Sequence, residues 1–232
     1  MEYLIGIDLG TSGTKTVLFD RLGKVIASAT VEYPLYQEKN GWAEQDPLDW
    51  WHASCETLQS VIGQSGVDPR DIKGLGISGQ MHGLVMLDKQ GQVLRRSILW
   101  CDQRTAKQCE EITQRVGQQR LIQITANPAL TGFTASKILW VRENEPELYA
   151  QCAHILLPKD FVRYKLTGEF ATEVSDASGM QLLDVPHRCW SQEVLEKLDI
   201  APALLAKVYE SPEITGTITP EAAALTGLAA GT

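Results

Sequence analysis

A short apolar run covers Tyr3–Leu9 and closes on Asp8-Leu9-Gly10. Thr14–Phe19 is a second run rich in β-formers, and the intervening Gly10-Thr11-Ser12-Gly13 has the composition of a turn. Asp20-Arg21-Leu22-Gly23 makes another turn and leads into a third run over Lys24–Tyr33. The opening therefore predicts three consecutive antiparallel strands. Asp46-Pro47 then reads as a helix start, with Asp as N-cap and Pro in the first turn, where its missing N–H costs nothing. Leu48, Trp51, Cys55, Leu58, Val61 and Ile62 recur at helical spacing behind it. Short strands are predicted at Gly74–Ser78 and Gly83–Leu87, with Asp88-Lys89-Gln90-Gly91 turning back into Gln92–Trp100.

From Arg104 onward the pattern is mainly helical. Helices are predicted over 103–116, 118–124, 134–143, 146–151, 159–166 and 191–198, with one strand at Ala153–Leu157 and Gly168 as a helix stop. Glu213–Thr219 reads as a last strand, and Pro220 opens a final short helix. Strands first, mixed elements next and a helical block last predict one α/β domain with a mixed sheet and a helical elaboration.

Composition narrows the function classes. The chain has 232 residues, enough to bury about 70% of its unfolded surface without disulfides or metals. With 21 Lys+Arg against 29 Asp+Glu the net charge is −8, which supplies no basic footprint for nucleic acid. No stretch approaches the ~20 apolar residues of a membrane span, and Met1–Gly6 has no basic segment ahead of an apolar block. Cys55, Cys101, Cys109, Cys152 and Cys189 are odd in number and widely spread, so free thiols in a reducing cytoplasm are expected.

Three loops that follow strands carry candidate chemistry. Asp8 ends an apolar strand and is expected to point from the strand end, ahead of a turn rich in Gly and hydroxyls, with Lys15 beyond it. Backbone N–H groups in such a turn cradle phosphate oxygens, and a carboxylate beside them suits Mg²⁺. A plain hairpin turn explains the same residues. Ser78-Gly79-Gln80-Met81-His82-Gly83 presents Gln and His between two strands, as a polar-ligand loop or an ordinary one. Leu99-Trp100-Cys101-Asp102-Gln103-Arg104 joins an aromatic ring to charges, a combination that holds sugars; a core Trp with Asp102 capping the next helix is the alternative. Gly132–Asn144 reads as an amphipathic packing helix with Thr134 as its N-cap. No Walker A pattern and no serine-hydrolase elbow occur.

Together these motifs resemble the FGGY family of carbohydrate kinases. Gly6–Lys15 is similar to the first phosphate loop of the wider actin/hexokinase/heat-shock ATPase superfamily. Gly132–Asn144 fits the first FGGY signature: small residue, x, Thr, two residues, Lys, apolar, x, Trp, apolar, x, Glu, Asn. Gly41–Pro47 with Trp50-Trp51, Leu157–Asp160 and Ser175–Gly179 are also similar. Gln80-Met81-His82-Gly83 resembles the xylulokinase branch, which phosphorylates a ketopentose; ribulokinases, gluconokinases and a non-catalytic sugar-sensing module remain alternatives.

The resemblance implies a ribonuclease-H-like domain covering 1–232, with sugar on this half and ATP and Mg²⁺ largely on a second domain. It implies Asp8 beside the Mg²⁺–phosphate, and Thr11, Ser12, Gly13 and Lys15 along the γ-phosphate. Met81, His82, Trp100 and Asp102 would hold the sugar. The general base is expected beyond Thr232, in a Gly-Gly-Gly-Asp stretch, so the chain alone is expected to be inactive. An exposed cleft face is expected to favour homo-oligomers.

Overall fold

The computed structural model describes residues 2–232. Its main sheet contains β1 (Tyr3–Leu9), β2 (Gly13–Asp20) and β3 (Val25–Glu32), which are antiparallel neighbours as expected. A two-residue strand β4 (Glu44–Gln45) precedes α1 (Pro47–Ser65), and β5 (Ile72–Gly79) then pairs parallel to β1, giving the order β3-β2-β1-β5. In β1 Ile5, Ile7 and Leu9 are buried on one face, while Leu4 and Asp8 lie exposed on the other. This is the period of two that strand geometry imposes.

Helix α1 starts as predicted. Asp46 accepts the Leu48 amide at 2.9 Å, Pro47 occupies the first turn, and Gly66 ends the helix at φ 64°. Of the expected stripe, Trp51, Leu58 and Val61 are buried and Cys55 and Ile62 pack at the edge of the core, whereas Leu48 is exposed and Trp50, which the spacing did not pick out, is fully buried. The indole N–H of Trp50 finds a partner inside, donating to Gln45 Oε1 at 3.1 Å, so the ring can turn inward. A buried Thr16–Thr57 hydroxyl pair at 2.7 Å joins α1 to β2.

The next part of the chain runs β6 (Val85–Leu87), β7 (Ser97–Ile98), α2 (Ala106–Val116), α3 (Gln118–Thr125), α4 (Thr134–Asn144), α5 (Pro146–Tyr149) and β8 (His154–Leu156). Then come α6 (Pro158–Thr167), β9 (Ala171–Glu173), α7 (Val174–Ala177), β10 (Leu183–Asp184), β11 (Cys189–Trp190), α8 (Gln192–Leu198), β12 (Lys207–Tyr209) and α9 (Pro220–Thr226). Strands β6 and β8 pair antiparallel and form a wall between two cores. Leu84, Met86, Ile155 and Leu157 belong to a core with α2, α3, α4 and α8. Val85, Leu87 and Leu156 belong to the core under the main sheet, with α1, α6 and α9. A strand buried on both faces reads as a continuous apolar run, which is how Leu84–Leu87 reads.

Four expectations are corrected. Helix α2 begins at Ala106, because Asp102 Oδ1 accepts the Arg104 amide at 2.9 Å and holds 102–104 in a turn. Thr134 is the first helical residue rather than the cap, and Phe133 stands at the N-cap with no side-chain bond. Within Gln92–Trp100 only Ser97–Ile98 is a strand; Arg95 and Arg96 turn away to pair with Glu44, Glu145 and Glu38. Glu213–Thr219 forms no strand, although Ile218 donates to the Thr232 carbonyl at 3.0 Å.

Candidate functional site

Parallel strands β1 and β5 end together, with Leu9 beside Gly79, so the loops after them leave the same edge of the sheet. Ligands of α/β folds collect outside such carboxyl ends. The first loop is tight. Gly10 N donates to Gly13 O at 3.0 Å, the Tyr33 amide donates to Ser12 O at 3.3 Å, and the Tyr33 hydroxyl donates to Gly10 O. Burial pushes the Tyr33 phenol up to about 12; a Thr14 hydrogen bond opposes this and the Asp8 charge adds to it. A Cβ on Gly13 would lie 2.7 Å from Val31 O, so strand packing alone demands glycine there. Asp8 does not leave the strand end as expected. It stands inside the ladder opposite Lys15 and Ser78, on the uncovered face of the sheet. There it lines a concavity of about 510 Å³ with Gly6, Lys15, Gly76 and Ser78.

A buried amide relay ties this loop to the next. The Trp50 indole is only a donor and the Thr11 carbonyl only an acceptor. Gln45 meets both, accepting from Trp50 at 3.1 Å and donating to Thr11 O at 2.7 Å, which fixes its orientation. Gln80 must then offer its Nε2 to Gln45 Oε1, at 2.8 Å, and its backbone N–H donates to Leu9 O at 2.7 Å. Met81 and His82 are thereby presented just past the sheet edge. Met81 is 50% exposed and Trp100 42% exposed. The Trp100 indole donates to Thr11 Oγ1 at 3.1 Å, so this ring and the hydroxyl loop touch directly.

His82 takes φ 64° and packs its ring 4.7 Å from that of Phe133. Burial pushes its imidazole down to about 4, helped by the Lys137 charge, so it is neutral at pH 7. Gly179 lies against this ring: a Cβ there would fall 2.2 Å from His82 Nε2. Gly83 is equally constrained, by Pro158 Cγ at 2.6 Å. Two of the motifs read from sequence thus meet at His82 through space rather than along the chain.

Asp102 differs from its expected role as a sugar ligand. Its side chain is fully buried, Oδ2 accepts the Ala43 amide at 2.7 Å, and both oxygens face the Arg104 guanidinium. Arg104 also pairs with Glu44 at 2.7 Å and lies 3.6 Å over the Trp42 ring, which meets Trp140 edge-on at 5.5 Å. This buried platform holds the Trp100 loop from beneath. Sequence reasoning did not single out Gln45, Phe133 or Lys137 as site residues; each stands in a motif that was noticed for other reasons.

A model of the FGGY family of carbohydrate kinases, N-terminal domain, matches residues 3–232. The xylulose kinase of Bacillus subtilis (strain 168) is 47% identical over 228 residues, covering 98% of this chain and 46% of that protein. The xylulose kinase of Escherichia coli (strain K12) is 44% identical over 225 residues, with 97% and 46% covered. Among solved structures, a xyloylose kinase from Brucella ovis superposes with a TM-score of 0.92 at 36% identity, over 99% of this chain and 47% of its own. A gluconate kinase from Lactobacillus acidophilus gives a TM-score of 0.93 at 29% identity, over 100% and 46%. The chain spans about half the length of the curated relatives it matches. Backbone shape is shared across these kinases, so it fixes the superfamily fold and not the sugar. With the ribonuclease-H-like sheet, the two loops at its edge and a family match across nearly every residue, the chain belongs to the FGGY family of carbohydrate kinases.

Proposed function

We propose that this chain carries the sugar-binding surface of an ATP-dependent ketopentose kinase acting on D-xylulose. The observation that carries the reading is the Trp100–Thr11 contact, which sets an exposed aromatic face directly against the hydroxyl-rich turn. Met81, Trp100 and Phe133 offer apolar contacts to the C–H faces of a sugar, and neutral His82 offers one donor and one acceptor to hydroxyls. Asp102 serves this surface indirectly, through Arg104 and Ala43 N.

Asp8 and Lys15 are suited to the phosphate side. Among the described residues no group of three His, Cys, Asp or Glu side chains could hold a metal. A single carboxylate on an open face fits Mg²⁺, which keeps several waters and takes its remaining ligands from phosphate. Bound there, Mg²⁺ and ATP would supply the phosphoryl group and neutralise its oxygens. Asp8 would hold that metal, Lys15 would add positive charge, and Thr11, Ser12 and Gly13 would position the phosphate. None of these carboxylates is placed to take the sugar's proton, because Asp102 is committed to Arg104 and Asp8 to the phosphate side.

Titration calorimetry with D-xylulose tests this reading, with L-ribulose, gluconate and glycerol as competitors for the assignment. The expected result is selective heat from D-xylulose that disappears in His82→Ala. Equal heats from all four ligands, or binding unaltered in His82→Ala, would refute it.

A further inference from the structure

Lys137 sits in the first turns of α4 with no exposed surface, an unusual place for an ammonium group. Its Nζ reaches two backbone carbonyls from different loops, His82 O at 2.8 Å and Gly132 O at 2.7 Å. The first belongs to a residue held in the left-handed region, where a non-glycine backbone is strained and needs outside support. Thr134 adds a second donor to the same carbonyl, at 3.2 Å, so the start of α4 grips the Met81–His82 loop twice. The second carbonyl belongs to Gly132, whose Cα abuts Trp100 O so closely that a Cβ would come within 2.9 Å. Phe133, whose ring packs on His82, lies between Gly132 and Thr134. One side chain thus lies at the centre of three segments that carry His82, Phe133 and Trp100.

We propose that Lys137 is a positioning residue for the sugar surface: it ties the His82 and Gly132 carbonyls together and so sets the spacing of the His82, Phe133 and Trp100 rings. The proposal rests on the reading of Met81, His82 and Trp100 as the sugar-facing surface. An apolar side chain of the same length would avoid the desolvation that a buried charge suffers. What the lysine adds is the pair of carbonyl bonds. Burial pulls its ammonium down to about 7, against the attraction of Asp102. A neutral amine keeps two N–H donors for the two carbonyls, so the tether holds in either protonation state.

The test compares Lys137→Met with Gly132→Ala, which displaces the second carbonyl without removing the amine, and with Leu198→Ala. The last is a cavity variant in the same helical core that touches neither loop. D-xylulose Kd is measured by calorimetry at a temperature where each variant is folded, and amide exchange is followed at His82, Gly83 and Phe133 relative to β1. Lys137→Met and Gly132→Ala are expected to weaken binding at least ten-fold and to speed exchange at those three amides. Leu198→Ala should lower the melting temperature and leave Kd within two-fold. Gly132→Ala keeps the test open if Lys137→Met fails to fold. Kd within two-fold of wild type in the tether variants, with unchanged local exchange, overturns the proposal. If the wild-type chain binds no D-xylulose, the sugar reading fails instead, and the exchange rates alone decide whether Lys137 is a tether.

Discussion

Arg104 is buried against Asp102 and Glu44, and each member of the group depends on the others. Removing one partner leaves buried charge uncompensated. Arg104→Met is therefore expected to destabilise the fold by about 3–5 kcal/mol, read by urea unfolding. The exposed Arg120–Glu193 pair gives the contrast: Glu193→Gln should leave stability nearly unchanged, since solvent screens that pair. His82 sets a pH dependence of its own. Its folded value near 4 lies below the ordinary 6.5, so between these values the unfolded chain binds a proton that the folded chain does not. Stability carried by His82 is complete above about pH 6.5 and is lost as pH falls toward 4. His82→Gln should flatten that part of the stability profile, and an NMR titration of the imidazole should show no protonation between pH 5.5 and 8. A midpoint near 6.5 would contradict the burial argument.

At the scale of elements, the glycines report what the loops are built around. Gly13→Ala forces a Cβ onto Val31 O and should cost about 1–3 kcal/mol, because backbone on β3 cannot move aside cheaply. Gly179→Ala pushes on the His82 ring, so its expected effect is on sugar affinity more than on melting temperature. The Asp46 cap is a smaller matter, with Asp46→Ala expected to cost about 1 kcal/mol. Both the cap and the three opening strands were legible in the sequence, because Asp-Pro and the Gly-bearing turns act locally. The two-residue strand β4 was not legible, nor were β9 and β12, since their pairing depends on partners remote in sequence. The same limit explains Asp102. A carboxylate after a Trp reads equally well as ligand or cap, and only the approach of Ala43 and Arg104 shows it is neither a helix cap nor open to solvent. Asp8 is the converse case: its position one residue before the end of β1 put its side chain on the open face.

For the whole molecule, the β6–β8 wall joins the sheet core to the helical core through alternate residues of the same strands. Losing either core strips one face of that wall. Unfolding in urea is expected to be one cooperative transition, with tryptophan emission and far-UV circular dichroism superimposable; two separated transitions would show that the cores fold independently. The wall also positions the site, since β6 begins at Val85, with only Leu84 between it and the Met81–His82–Gly83 loop. On the proposed function, this loop, the Trp100 loop and the Thr11 turn form one sugar-facing surface. The most direct measurement is NMR titration of the isotope-labelled chain with D-xylulose. Shifts concentrated at the Trp100 indole and at the Thr11, Met81, His82 and Phe133 amides are predicted. Shifts centred elsewhere, with the Trp100 indole unmoved at saturation, would contradict a sugar site at this surface.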